Sequence, residues 1–587
     1  MLAGILFFLV TAINRGWIDE PTRVALAYLA STGLLAGGMF MHDRRGAGVG
    51  AAMVSAAIAA LFASTTAATT LYDLITPETG LFAAALIGAV GTAIAVRWES
   101  RDIAAIGILG ALLSPVLVGS GTSDASLLLM GVAMLSATGV LIWMRWDWLA
   151  VAAFTVSVPQ LLAWLWASDA PELGLALSVL GAFWLVYLVA AIGFELRVPS
   201  TDLRASSAML LLADALLIAG AGWEKLAGAG HDDAATAWVI SLAVVHCGIG
   251  AGIFGRRVSK EISLLVGAVG IGLSAVGLAM ALEGPALVAS WAAEAAVLAW
   301  LGSRLDDRRV DITAAVFLLG SALYAVAFET PVESLGGAAD ASALAAIAIV
   351  AVAGAAVAAL STWLRDLAGI VMLAAIAYFV PVAVDGVWVP VLWALLAVLA
   401  TEVAVQRPAV LERIAAVPFI ALALVHALIY EAPLQSLWDG SDQLLDALIA
   451  LVAVAGAGYA MLLHESSERR DALLPAVAGV LIYAGSVAVV EVFAGADGPG
   501  QTSQLLLSVF WAAIGLGGLI AGLSTEQRRL RIGGLSFLAL AAVKVTIYDL
   551  SELDEIYRVL SFIGLGLLLL AGAYAEQQLK GRGEVER

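Results

Sequence analysis

The chain has 587 residues, 62% hydrophobic and 13% charged, with a mean hydropathy of +0.99; soluble domains carry about a quarter charged residues, so a water-soluble globular protein is excluded. A net charge of −18 at pH 7 excludes the basic footprint that nucleic acid requires. A single cysteine, Cys247, excludes an internal disulfide.

Crossing the roughly 30 Å hydrocarbon layer takes about 20 apolar residues in a helix, and runs near that length follow one another throughout. In chain order, helices are predicted at 1–17, 22–41, 47–72, 80–96, 103–119, 126–144, 148–167, 174–194, 205–223, 237–255 and 262–282. The second half continues with 285–303, 310–328, 341–363, 367–384, 386–406, 414–430, 443–463, 472–493, 503–523, 532–548 and 559–579. The fold class is an all-α polytopic transmembrane helix bundle of about 22 transmembrane helices with short loops. Residues 1–13 lack a basic start and no small-residue cleavage site precedes Asn14, so no cleavable signal peptide is expected. No gap is long enough for a soluble domain, and residues 1–587 read as one membrane domain.

The basic residues sort onto alternate gaps. Arg44, Arg45, Arg97, Arg101, Arg145, Arg197, Arg204, Arg256, Arg257 and Lys260 follow even-numbered helices in the first half, and Arg304, Arg308, Arg309, Arg365, Arg407, Arg413, Arg469, Arg470, Arg528, Arg529 and Arg531 do so in the second. The odd gaps hold only Arg15, Arg23, Lys225 and Arg558. The positive-inside rule therefore puts the even gaps and both termini in the cytoplasm, in a multi-pass cytoplasmic-membrane protein. Carboxylates are divided more evenly, which leaves an acidic outer face; a saline habitat explains this more simply than cation collection does.

Three stretches of the second half share a pattern. Trp291 precedes Glu329, Trp393 precedes Glu431 and Trp511 precedes Asp549 at one common spacing, with a basic turn between. Five residues before each acid stands Tyr324, His426 or Lys544. Hairpin repeats are expected near 285–329, 387–431 and 505–549, arising from duplication or from a repeated binding site. Small residues at four-residue spacing (Gly518 and Gly522, Ala268 and Gly272, Gly270 and Ser274) suit close helix packing in lipid. Pro115, Pro159, Pro381 and Pro418 fall within predicted helices and should kink them.

Polar residues inside predicted helices are the site candidates. Asp214 and Glu294 lie near mid-helix, Glu402 near the inner boundary and Glu491 near the outer one. A mid-membrane carboxylate costs about 2.5–3.5 kcal/mol on an insertion scale, so each should face protein or water. Lys544 either pairs with Glu491 or snorkels to the interface, and His426 also lies within a helix. Asp214 and Glu294 would then be protonated, hydrogen-bonded or neutralised by a cation, which makes a proton or cation the small partner, alongside the lipid bilayer. His231, Asp232 and Asp233 could chelate a metal but read more simply as a solvated loop, and no cofactor is expected. No His-Glu-x-x-His, Gly-x-Ser-x-Gly, paired Cys-x-x-Cys or phosphate-binding lysine loop is present, which removes the usual supports of hydrolase, zinc-enzyme and NTPase readings.

Phe7, Phe8 and Leu9, followed by Asn14, Arg15, Gly16, Trp17 and Ile18, resemble the opening of the family known as domain of unknown function 2339, with Arg15 inserted. Trp291, Ala292 and Glu294 with Leu301, Gly302 and Arg304 are similar to a second segment of that family. Lys544 to Ser551, with Leu553, Asp554, Tyr557, Arg558, Leu560, Ser561 and Phe562, are the most specific match. The resemblance implies a large prokaryotic membrane protein without an assigned activity, and it adds weight to Glu294, Lys544 and Asp549. Three functional classes follow. The preferred one is a cation- or proton-coupled transporter or channel with a polar site near Glu294; the second is a membrane transferase acting on lipid-linked sugars through Asp19 or Glu20; the third is a non-catalytic envelope scaffold.

Overall fold

The computed structural model describes residue 11 and residues 15–570 except 17, 46, 121–122, 145, 168–170, 199–203, 256–258, 336–338, 407–409, 442, 496–497, 550–553, 558, 565 and 568–569. The predicted first helix, and the end of the last, lie for the most part outside the described residues. Among those described, every regular element is helical and none is a strand. Among the described residues, eighteen helices are long and apolar enough to cross a membrane. The chain divides into two compact units, residues 1–282 and 283–587.

Unit 1 contains α1 (Glu20–Arg45), α2 (Ala47–Thr66), α3 (Pro77–Trp98), α4 (Arg101–Ala104), α5 (Gly110–Leu117), α6 (Asp124–Met144), α7 (Asp147–Leu165), α8 (Leu173–Arg197), α9 (Ala205–Gly228), α10 (Asp232–Ile253) and α11 (Lys260–Ala281). A π turn, Ala105–Leu109, joins α4 to α5, so the predicted 103–119 helix is one helical path with a wide turn in it. Ile58, Ile103, Leu161, Leu180, Ile218 and Ile262, from six different helical legs, are all fully buried in one continuous apolar core. In lipid, helix contact gains nothing from hiding oil from water, so small residues and interhelical bonds must supply the attraction. The α10–α11 seam does both: a Cβ at Gly250 would lie 2.8 Å from the Gly267 nitrogen, and Ser263 Oγ donates to the Gly250 carbonyl at 2.7 Å.

Unit 2 contains α12 (Gly284–Leu305), α13 (Arg308–Tyr324), α14 (Ala341–Leu360), α15 (Arg365–Ala383), α16 (Trp388–Gln406), α17 (Val410–His426), α18 (Ser436–Asp439), α19 (Leu444–Leu463), α20 (Ser467–Val492), α21 (Gln501–Ser524) and α22 (Arg528–Lys544). Its buried apolar residues form several smaller clusters. One joins α15, α16, α17 and α19 around Val380, Trp393, Phe419 and Val454, and another joins α21 to α22 around Ala512 and Leu538. Gly518, singled out by its spacing, packs on Gly534 across that second hairpin, whereas Gly272 borders open space.

Tight turns at arginines close three hairpins in one manner. Glu99, Asp306 and Glu526 adopt φ of 52°, 50° and 58°, ending α3, α12 and α21 in the left-handed conformation that terminates helices. Arg101, Arg308 and Arg528 then begin the next helix two residues later. Arginines at helix ends lie over aromatic rings, Arg44 over Phe40 at 4.3 Å and Arg304 over Trp300 at 5.0 Å. Such cations gain from the ring face and from the carboxyl end of the helix dipole.

Prolines inside helices expose carbonyls that lipid cannot satisfy. Pro381 offers no N–H to the Ala377 carbonyl four residues earlier, and the indole N–H of Trp393 from α16 bonds that oxygen at 2.9 Å. Near Pro115 of α5, which withholds an N–H from Ala111, Gln160 Nε2 from α7 donates to the next carbonyl, that of Leu112, at 2.8 Å. Trp393 is only 7% exposed, so removing its N–H strands a buried acceptor. Trp393→Phe should therefore cost about 1–3 kcal/mol of stability, and less in a Pro381→Ala background, where the backbone supplies the missing donor. Thermal unfolding of the four variants measures this; equal losses in both backgrounds would show that the indole N–H does not serve Ala377.

Candidate functional site

In unit 1, a set of hydrogen-bonded side chains begins on α8. Trp184 and Tyr187, three residues apart, share a helix face. Tyr187 is buried, exchanges a hydrogen bond with Ser157 Oγ of α7 at 2.8 Å and takes the edge of Phe154 at 4.9 Å. Trp184 Nε1 donates to His246 Nε2 of α10 at 3.3 Å. An indole N–H only donates, so Nε2 accepts, and His246 Nδ1 must be the N–H that bonds the Leu242 carbonyl at 2.7 Å. The network therefore fixes His246 as a neutral imidazole with both nitrogens satisfied.

Asp214 on α9 differs. It is 2% exposed, and its Oδ1 is buried without a hydrogen-bond partner. No Lys or Arg among the described residues forms an ion pair with it. Lys225, near the end of the same helix, bonds the Leu165 carbonyl and sits 4.7 Å from the Trp166 ring.

In unit 2, three helices end alike. α13, α17 and α22 are each 17 residues long and finish at Tyr324, His426 and Lys544. A five-residue π turn follows each: Ala325–Glu329, Ala427–Glu431 and Val545–Asp549. The i to i+5 bonds of a π turn bring residues five apart onto one face. His426 Nδ1 accordingly meets Glu431 Oε2 at 3.1 Å. The preceding tryptophans stand in matching places, with Trp291 edge-on to Tyr324 at 5.9 Å and Trp393 edge-on to His426 at 5.8 Å, both at 77°. Glu329 lies at the start of α12, where a Cβ on Gly284 would be 3.6 Å from its Oε2. The side chain of Asp549 lies outside the described residues.

Lys544 donates to the Gln504 carbonyl at 3.0 Å and to Ser508 Oγ at 2.8 Å. Glu491 instead accepts from the Ser441 amide at 2.9 Å, so the two charges take different partners. Glu402 is exposed and bonds His464 Nε2 at 3.1 Å. Glu294 is half-buried on α12, between buried Ala292 and Ala295, with its Oε2 buried. Glu294 and Asp214 belong to different units.

Two further candidates lie at helix starts. His231, Asp232 and Asp233 form the cap and first turn of α10, where the acids complement the helix dipole, and no group of three potential metal ligands occurs among the described residues. Asp19 accepts from the Thr22 amide at 3.2 Å, and the Thr22 hydroxyl and amide hold its carboxyl below the ordinary range; it caps α1.

Sequence reasoning overlooked Asp311 and Gln504. Asp311 counts as part of a basic turn by sequence but is buried, accepting from Ser361 Oγ at 2.9 Å. Gln504, within an apolar run, donates to the Leu437 carbonyl at 2.8 Å, while its Oε1 is buried without a partner. The π turns had a signal in the five-residue spacing before each acid.

No curated protein and no solved structure matches the chain. A family model described as "Predicted membrane protein (DUF2339)" matches residues 1–579. Matched over nearly its whole length, and built of helices suited to lipid, the chain belongs to this family of membrane proteins.

Proposed function

We propose that this polytopic membrane protein moves protons or small cations across the bilayer and uses Asp214 as the binding carboxyl. One observation carries the reading: Oδ1 of a side chain that is 2% exposed, in mid-span, has no hydrogen-bond partner. An ionised carboxylate so placed is expensive, and a proton or a bound cation removes the cost. The sequence favours Glu294 first; the deeper burial of Asp214 moves the weight to α9. The fixed neutral form of His246 supports the same choice, because a histidine already satisfied at both nitrogens is a poor carrier.

The test is flux. The full chain reconstituted in liposomes, with a potassium-diffusion potential imposed and internal pH and sodium followed by dyes, should pass protons or sodium above the protein-free rate. Asp214→Asn should abolish that flux, while Glu294→Gln retains it. Flux that is absent, or unchanged in Asp214→Asn, would overturn the proposal and favour the scaffold reading.

Orientation is the second part of the proposal: the arginine-bearing turns face the cytoplasm. In a Cys247→Ala background, cysteines at Asp306 and Gln527 should resist an impermeant thiol reagent applied to intact cells. Cysteines at Glu333 and Gln435 should react. The reverse pattern would contradict this orientation.

A further inference from the structure

Within unit 1, a lateral groove of 680 Å³ runs between α2 with the π turn that follows it (Ala67–Leu71) and the leg formed by the Ala105–Leu109 turn and α5. Its floor is the Phe62 ring against Gly110, where any Cβ would lie 2.5 Å from the ring. Leu113 and Leu117 are exposed on one side, and Ala59 and Ala63 are exposed on the other.

We infer that this groove binds one acyl chain of a phospholipid. Length is the first argument: Ala59 to Leu71 spans about 18 Å at helical rise, close to the ~15 Å of one leaflet. Polarity is the second. The lining is apolar except at one end, where Thr66 and Thr70 lie, Thr70 Oγ1 bonding the Thr66 carbonyl at 2.9 Å. That end leads directly to Tyr72 and Asp73, beyond the apolar run, where an ester and headgroup would sit. An acyl chain has this distribution, apolar along its length and polar at one end. Membership in a membrane-protein family supplies the lipid.

The experiment uses the full chain in nanodiscs of phosphatidylethanolamine and phosphatidylglycerol containing a phospholipid with a mid-chain diazirine. After illumination, crosslinked peptides should concentrate at 59–71 and 105–117. Ala63→Trp, which fills the groove, should reduce that signal several-fold, whereas Leu128→Trp on an exposed helix face should not. Ala59→Phe is the second groove variant, and the thermal midpoint of each variant verifies folding. Crosslinks spread evenly over lipid-facing helices, unchanged by Ala63→Trp and Ala59→Phe, would overturn the inference. So would protein–protein crosslinks from a photoreactive residue at position 63, which would make the occupant a second copy.

Discussion

Polar atoms inside the hydrocarbon layer must find partners within the protein, since lipid offers none. This constraint organises both units. Proline is tolerated where a side chain from another helix reaches the carbonyl it strands, as Trp393 does for Ala377. Lys544, within a span, is held by a backbone carbonyl and a hydroxyl on a facing helix, Gln504 and Ser508. Hydroxyls inside helices mostly fold back onto the preceding turn, as Ser114 does on Gly110 at 2.7 Å.

Some buried atoms stay unmatched, Gln504 Oε1 and Asp214 Oδ1 among them, and of these two only the carboxyl can carry a charge. Asp214 is sealed from solvent on α9 with one oxygen unmatched. Elsewhere in unit 1, His246 and Trp184 satisfy each other. The unmatched Asp214 oxygen is, in the function proposed, the place for a small positive species, because buried carboxyl oxygens are ordinarily hydrogen-bonded.

Much of the helix order was legible because lipid demands one property, apolar length, and composition displays it directly. The arginine turns were equally visible, since Arg308 and Arg528 interrupt otherwise apolar runs. The π turns were only half visible. Spacing tied His426 to Glu431, but the i to i+5 register that joins them depends on how the last turn packs, and hydropathy carries no trace of it. Asp311 misled for a related reason: four charged neighbours suggested a solvated turn, whereas the α13 helix directs its carboxyl inward to Ser361. The division at residue 282 had no linker to announce it. Asp214 and Glu294 looked alike in sequence, and only their surroundings separated them.

Stability gives the most direct test of the central claim that Asp214 is kept for function against the cost of burial. Thermal midpoints of Asp214→Asn and Gln160→Leu should be measured in one detergent beside the parent. Gln160 bonds two carbonyls, those of Leu112 and Val156, so its loss should lower the midpoint. Asp214→Asn, which removes an unmatched carboxyl, should leave the midpoint unchanged or raise it. A fall in Asp214→Asn as large as that in Gln160→Leu would make Asp214 a structural tie and contradict the account.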